Sequence, residues 1–368
     1  LSGWEQTKVQ IAKFLITEVD LLILDEPTNH LDIKWIIFLE HFCKIWKKAI
    51  LSISHDIRFI NNTSDKIMEI SWKKLNNYPW NYEKYLIEKQ ARYDRQLKAH
   101  ELQKKEIEEE EAWINRFRYT PSKSASVQSR VKQLEKIERI EKPENESIVR
   151  SIIVKTDKRL PEKVMEFSDL EIGYTTPIII THGELTVRKD DKIGIIGGNG
   201  VGKTTFLKTI LSELPTLSGK VFINPDLIIG SYSQVLADLN GDISIIDELS
   251  RNHSKDNEIR SMLWWLLISG DKVDQTVKTL SGWERAKVAL TKMLLIRPHV
   301  IIMDEPTNHL DLHSKNVIKN MLEDFNGTSL IVSHDRDLLE HISNKVWLIQ
   351  DGTLRVFDEP EKWFNEIF

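Results

Sequence analysis

A block of sequence at the start of this chain returns near its end. LSGWEQTKV at Leu1–Val9 is answered by LSGWERAKV at Leu280–Val288, and LILDEPTNHLD at Leu22–Asp32 by IIMDEPTNHLD at Ile301–Asp311. ISHD at Ile53–Asp56 returns as VSHD at Val332–Asp335, in the same register and without a gap. A repeat this long is a duplicated domain rather than a solenoid unit. Between the copies lies one Gly-rich segment, GGNGVGKTT at Gly197–Thr205, which fits the phosphate-cradling pattern G-x-x-x-x-G-K-[ST]. The chain therefore reads as two nucleotide-binding halves in tandem. The first copy opens directly at LSGWE, whereas a long stretch from Val164 precedes the second. The sequence accordingly reads as a fragment whose first half lacks its upstream part.

Strands alternating with helices in both copies indicate a parallel α/β sheet. Apolar runs place strands at Leu21–Leu24 and Ala49–Ile53 around a helix near Lys34–Lys47, followed by a hairpin of Ile67–Ile70 and Trp72–Asn76. The second copy repeats the order with strands Val300–Met303, Ser329–Val332, Lys345–Ile349 and Leu354–Phe357, and a helix over Ser314–Phe325. Between the halves, Asn81–Ile140 is rich in Lys, Glu, Arg and Gln, has no Gly, and carries apolar residues at helical spacing. Pro121, among Ser122, Ser124 and Ser126, breaks that pattern. Two antiparallel helices with a tip near Tyr119–Ala125 are the economical reading, a single solvated helix the alternative. The expected division is 1–79, the later part of a first nucleotide-binding domain; 80–142, a helical linker; and 143–368, a second nucleotide-binding domain.

Composition narrows the class. With 368 residues, 40% apolar and 29% charged, the chain is an ordinary globular one with room for two or three domains. Its net charge of −5 argues against a wholly basic nucleic-acid binder. The longest apolar run, Met262–Ile268, falls far short of the roughly 20 residues that a membrane span requires. Cys43 is alone, so no internal disulfide can form, and a reducing, cytoplasmic setting is the simple reading.

The Gly-rich loop follows the apolar run Lys192–Ile196 and precedes the helical run Phe206–Leu211, the strand–loop–helix context its chemistry needs. Backbone N–H groups of Gly197, Gly198, Asn199, Gly200, Val201, Gly202 and Lys203 can turn inward on phosphates, helped by a helix N-terminus that includes Thr205. Lys203 would neutralise β- and γ-phosphate oxygens, and the Thr204 hydroxyl would ligate Mg²⁺. Asp304, ending an apolar strand, can hold Mg²⁺, commonly through water. Glu305, next in the chain, can orient or deprotonate an attacking water. His334 follows a strand and can reach the γ-phosphate or that water. Asp25, Glu26 and His55 stand at the same places in the first copy.

These residues together resemble the ATP-binding-cassette proteins, and specifically their F class, with two cassettes in one chain and a role in translation. EPTNHLD, present twice, is similar to that class, as are RFRY at Arg116–Tyr119 and QSRVKQLEKIE at Gln128–Glu138 in the linker. The resemblance implies an α/β P-loop NTPase fold of cassette type, joined by an antiparallel helical linker. It also implies ATP and Mg²⁺ as ligands, and a head-to-tail sandwich in which the Gly197–Thr205 loop faces Ser2 and Gly3 of the other half. Gln234 matches the class's Mg²⁺-sensing glutamine and Tyr174 its adenine-stacking aromatic. The second composite site would hold Asp25, Glu26, His55, Ser281 and Gly282. Where the family has Leu-Ser-Gly-Gly, both copies here read Leu-Ser-Gly-Trp; the indoles of Trp4 and Trp283 are expected to turn outward, the alternative being that they slow closure and hydrolysis.

The linker tip carries Arg116, Arg118, Lys123, Arg130 and Lys132 with Trp113, Phe117 and Tyr119 interleaved, and no acidic residue between Ala112 and Gln133. Such a tip suits phosphates and exposed bases, although by itself the pattern is more often a solvated helix end. The resemblance implies contact with ribosomal RNA and tRNA through Arg116, Arg118 and Lys123. The expected function is that of a ribosome-associated ATPase, a translation factor closed by ATP and released by hydrolysis. The alternatives are ribosome protection against antibiotics, the ATPase subunit of a membrane transporter, and a non-hydrolysing ATP-dependent scaffold.

Overall fold

The computed structural model describes residues 9, 13, 19–29, 31–71, 74–79, 81–141, 161–251, 255–266, 268–308, 310 and 312–358. The chain divides into two compact units, one of Leu1–Thr63 with Val149–Phe368, the other of Ser64–Ile148.

In the first unit the first copy supplies strand β1 (Leu21–Asp25), helix α1 (Ile33–Ile45), strand β2 (Ala49–Ile53) and helix α2 (Ile57–Thr63). The two strands pair in parallel, from Leu21 opposite Ala49 to Asp25 opposite Ile53. Alternation along β1 turns Leu22 and Leu24 inward, where they pack with Leu31, Ile36, Leu39, Phe42, Cys43 and Phe59. Asp32 starts α1 by accepting the Trp35 N–H at 3.1 Å, the usual carboxylate cap for otherwise unpaired helix donors.

The second copy and the segment before it build a larger sheet in the same unit. The chain runs through β5 (Lys163–Gly173), β6 (Pro177–Ile180), β7 (Glu184–Arg188), β8 (Lys192–Gly197), β9 (Ser218–Ile223), β10 (Ile229–Ser231), β11 (Val300–Asp304), β12 (Thr328–Val332), β13 (Lys345–Gln350) and β14 (Thr353–Phe357). Their order is β10-β11-β12-β8-β13-β14-β6-β5-β7, with β9 also on β5. From β10 to β13 the pairing is parallel, and β11 and β12 are buried almost throughout, so they read as unbroken apolar runs. Their register, Val300 opposite Thr328, repeats that of Leu21 with Ala49. Helices α5 (Lys203–Ile210), α6 (Tyr232–Ala237), α7 (Ile245–Ser250), α8 (Asp256–Trp265), α9 (Gly282–Leu295), α10 (Leu312–Asp324) and α11 (Arg336–Ile342) complete the unit. One core lies beneath α7 to α10; another lies between the parallel strands and the β5–β7 layer, centred on Phe167, Phe206 and Trp347.

The two copies share a core. Ile33, at the start of α1, is buried with Ile196, Leu339, Val346 and Leu348 of the second copy. Truncating a buried isoleucine costs roughly 2–5 kcal/mol. Ile33→Ala should therefore lower the melting temperature clearly, whereas truncation of the exposed Ile70 should leave it near the parent's; calorimetry of both variants checks this.

The second unit begins with a hairpin of strands β3 (Ile67–Ser71) and β4 (Lys74–Tyr78), the latter two residues beyond the expected Trp72–Asn76. A long helix, α3 (Tyr82–Phe117), capped by Asn81, follows, then a short 3₁₀ turn at Pro121–Lys123 and a second helix, α4 (Ser124–Glu135). Arg130 pairs with Glu110, Gln103 donates to the Glu138 carbonyl, and Gln96 to that of Glu141. The partners recede along the long helix as the returning segment advances, so the two run antiparallel with their turn at the expected tip. The hairpin is bound to this helix, because Glu69 accepts from Tyr78 (3.2 Å), Tyr85 (2.8 Å) and Lys89 (2.8 Å). Among the described residues no helix is long and apolar enough to cross a membrane.

Candidate functional site

The carboxyl ends of β8, β11 and β12 lie side by side, and each delivers its functional residue there. At the end of β8 the loop needs a left-handed turn, with Gly200 at φ 80° and Gly202 at φ 101°. At Gly202 a Cβ would also stand 2.9 Å from Ile178, so only glycine lets the loop pass into α5. Lys203 then folds back, donating to the carbonyls of Gly197 and Gly198 at 2.9 Å each. Thr204 donates its hydroxyl to Asp304 at 2.7 Å. These hard oxygens, adjacent to a phosphate loop, suit Mg²⁺, which prefers a few protein oxygens and completes its shell with water and phosphate.

Glu305 is held by its backbone. Its φ is +46°, and its N–H donates to the Val332 carbonyl of β12 at 2.9 Å, which turns the side chain away from the strand end. The carboxylate meets the next strand's loop. Its Oε2 accepts from the His334 N–H at 3.3 Å, its Oε1 lies 3.5 Å from His334 Nε2, and Oε1 is buried with no hydrogen-bond donor among the described residues. His334 Nε2 also lies 3.2 Å from Lys203 Nζ and 3.1 Å from Asn199 Oδ1. Burial raises Glu305 to about 8, lowers Lys203, and holds the His334 imidazole neutral down to about 3. A neutral imidazole beside the ammonium can accept from it, and a carboxyl poised near neutrality is suited to take a proton from water.

The first copy repeats this turn. Glu26 has φ +44°, donates its N–H to Ile53 at 2.8 Å, and lies 3.5 Å from His55 Nε2; Asp25 ends β1 as Asp304 ends β11. The same backbone strain at both duplicated positions belongs to the motif.

A cleft of about 750 Å³ opens over the phosphate loop. Tyr174, Asn199, Gly200, Gly202, Lys203, Thr204, Thr205, Asp304, Glu305 and His334 line it, with Ile178. Tyr174 is 61% exposed just past β5, free to present a ring face. Gly197, Gly198 and Val201 face a smaller cavity behind the loop. The opposite wall of the cleft comes from the first copy: Thr28, Asn29, Leu31, Ile36 and Asp56. None of these five was singled out from sequence, although the duplicated EPTNHLD and SHD segments that carry or adjoin them were the available signal.

Three expected site residues lie elsewhere. Gln234 does not line this cleft; it sits exposed on the short helix α6, where its amide donates to Glu213. Ser281 and Gly282, expected at the second composite site and not at this cleft, are the N-cap and first residue of α9. The Ser281 hydroxyl accepts the Glu284 N–H at 3.2 Å and the Glu284 carboxylate accepts the Ser281 N–H at 3.0 Å, while the Cα face of Gly282 is open. Trp283 is half-buried against the core beneath α9, with Lys287 Nζ 4.9 Å above its ring, so this indole is packing material. Ser2, Gly3 and Trp4 lie outside the described residues.

At the tip of the second unit, Arg130 stacks over Trp113 (4.1 Å) and Lys123 over Phe117 (4.8 Å), with Arg116 5.5 Å from the same ring. Tyr119 is 89% exposed between Arg118 and Lys123.

Comparison with known proteins places this geometry. Family models described as ABC transporter match residues 68–151 and 180–308. The ATP-binding protein YdiF of Bacillus subtilis is 37% identical over all of this chain and 58% of its own length. ABC transporter F family member 3 of Arabidopsis thaliana is 31% identical over 96% of this chain and 50% of its own length. The chain belongs to the F class of ATP-binding-cassette proteins. It spans little more than half the length of these relatives. In fold, the cassettes also match a ribosome-bound archaeal ABCE1, with a TM-score of 0.64 at 21% identity over 100% of this chain and 57% of that one.

Glu305 makes stability depend on pH. Between 4.5 and about 8 the folded cassette holds a proton on Glu305 that the unfolded chain has released. Its contribution is complete below 4.5 and is lost as pH rises to about 8. Glu305→Gln should therefore lose less melting temperature than the parent across that window, measured by circular dichroism in matched buffers.

Proposed function

We propose that this protein is a ribosome-associated ATPase, closed by MgATP between its two cassette copies and reopened by hydrolysis. The observation that carries the reading is the cleft over Lys203, which unites the phosphate loop, Asp304, Glu305 and His334 with a wall from the first copy. In the mechanism, the loop's N–H groups and Lys203 bind the β- and γ-phosphates, exchanging the Gly197 and Gly198 carbonyls for phosphate oxygens. Thr204 and Asp304 would hold Mg²⁺, which would supply neutralisation of the phosphate charge. Tyr174 stacks on adenine. Glu305 takes the proton of the attacking water through its unoccupied Oε1, and His334 donates toward the γ-phosphate or orients that water. The first copy completes the cleft only when its EPTNHLD segment is seated. That makes ATP binding and domain closure one event.

Ribosome association rests on three supports: the F-class membership, the basic and aromatic tip, and the description of the fold neighbour as ribosome-bound. Arg116, Arg118 and Lys123 contact RNA phosphates in this reading, and Tyr119 offers a face to an unpaired base.

Glu305→Gln should retain ATP binding and lose turnover by 10²-fold or more, roughly the share a positioned general base supplies. In sedimentation with ribosomes and ATP, this variant should stay bound longer than the parent. Phosphate release at the parental rate would remove Glu305 from its role, and ATP-independent sedimentation would remove the closure cycle.

Replacing Arg116, Arg118 and Lys123 together with Glu should weaken ribosome binding and flatten its dependence on salt, since each lost phosphate contact lowers that slope by about 0.7–0.9. Basal ATPase should stay at the parental level. Parental ribosome binding across a salt titration would move RNA recognition away from the tip.

A further inference from the structure

Arg336 is two residues beyond His334 and opens α11, yet its guanidinium is committed elsewhere. It forms an ion pair with Glu40 on α1 of the first copy, 296 positions away, through Nη2 to Oε1 and through Nη1 to Oε2 at 3.5 Å. Arg336 is 4% exposed and Glu40 6%. Glu40 Oε2 also accepts from Asn62 of α2 at 3.0 Å, so the carboxylate ties both first-copy helices to the arginine. A second pair, Arg58 of α2 with Glu340 of α11, joins the same two copies.

Both ends of this connection reach the nucleotide cleft. From α1, Ile36 lines the cleft, while the N-cap Asp32 lies in the smaller cavity behind the phosphate loop, its Oδ2 3.9 Å from where a Cβ on Gly198 would sit. At the other end, Asp335, between His334 and Arg336 in sequence, lines the cleft and caps α11, its side chain accepting the Leu338 N–H at 3.1 Å. Fixing Arg336, the first residue of α11, therefore restrains the short segment that carries His334 over Glu305.

Duplication makes the arrangement one-sided. At the corresponding places of the two copies, Ile57 stands for Arg336 and Lys319 for Glu40, so the reciprocal pair cannot form. Asp337 stands for Arg58 and Asn61 for Glu340, which removes the reciprocal of the second pair too. Two buried charges gain little stability over an apolar pair of like volume, but they do fix a register, because a misplaced charge is left unpaired.

We propose that Arg336 is a positioning residue for ATP hydrolysis at the Lys203 site: through its buried ion pair with Glu40 it couples seating of the first copy's α1 to the placement of His334 against Glu305. The inference rests on the hydrolytic reading of that site. Arg336 touches neither nucleotide nor metal. Its effect is on the geometry of the reacting step, and it belongs to one of the two composite sites only.

The test uses Arg336→Gln, Glu40→Gln, their combination, and the charge exchange Glu40→Arg with Arg336→Glu. ATPase kinetics, ATP-analogue affinity and hydrogen exchange across residues 333–338 are measured on each. Each single variant should lower kcat roughly ten- to a hundredfold, as small misplacements of reacting groups do, with KM and analogue affinity near parental values. The combined variant should cost no more than either single one, and the exchanged pair should recover most of the loss. Hydrogen exchange at 333–338 should quicken in Glu40→Gln although Glu40 lies on another helix. Single variants with parental kcat, or losses that add in the combined variant, would overturn the proposal. If parent and variants all bind ATP without turnover, the hydrolytic reading fails instead. The coupling then stands or falls on whether Glu40→Gln alters exchange at 333–338.

Discussion

The hydrogen bond from the Glu305 N–H to the Val332 carbonyl, 2.9 Å long, holds the arrangement on which the whole cleft depends. It extends the β11–β12 pairing one residue past Asp304, at the price of a left-handed backbone that a glutamate does not prefer. In return Asp304 and Glu305, neighbours in sequence, point to different tasks. Asp304 turns to the Thr204 hydroxyl, Glu305 to His334. Parallel strands end with their carbonyls and loops on one side, so β8, β11 and β12 bring three remote segments to one edge without any long excursion. The same bond and the same φ recur at Glu26, which shows that the turn is a property of the motif and not of its surroundings.

Around that turn the charges are held in an unfinished state. Lys203 is buried and satisfied by its own loop's carbonyls, Glu305 is pushed toward its neutral form, and His334 is kept neutral. An ammonium, a carboxyl and an imidazole left in such a place would cost desolvation energy without full compensation. Phosphate and a divalent cation would reverse the balance, giving Lys203 an anionic partner and Asp304 a cation. The site is thus electrostatically complementary to phosphate and a divalent cation, and this complementarity separates a nucleotide cleft from a chance Gly-rich turn.

Most of this was legible because the decisive residues are local in sequence. GGNGVGKTT, MDEP and SHD each encode a strand end and its turn, and β1, β2, β11 and β12 fall where the apolar runs put them. The linker's break at Pro121 was readable for the same reason. What the sequence could not display were pairings across long separations. Glu40 with Arg336, and Leu31 with the phosphate loop's cleft, are set by how two copies pack, for which no periodicity exists. The contact of Gln234 was invisible too, because a motif match assigns a position on a loop, whereas its amide donates to Glu213 on a different segment. The hairpin's attachment to the long helix likewise depends on three groups converging on Glu69, one of them 20 residues downstream.

Among the described residues the duplicated strands differ in burial. Leu21, Ile23, Leu51 and Ile53 occupy the places of Val300, Ile302, Leu330 and Val332. The second set is buried to 1% exposure or less between the sheet and its β5–β7 layer, while the first set is exposed, Ile23 to 58%. Among the described residues, the first copy's strands pack on the cluster of Leu22, Leu24, Leu39, Phe42 and Phe59. Leu39 and Phe42 of that cluster lie on α1, which Ile33 and Glu40 tie to the second copy. The packing that stabilises the first copy is thus the same packing that closes the cleft over Lys203, so the stability of one half and the geometry of the other's site change together.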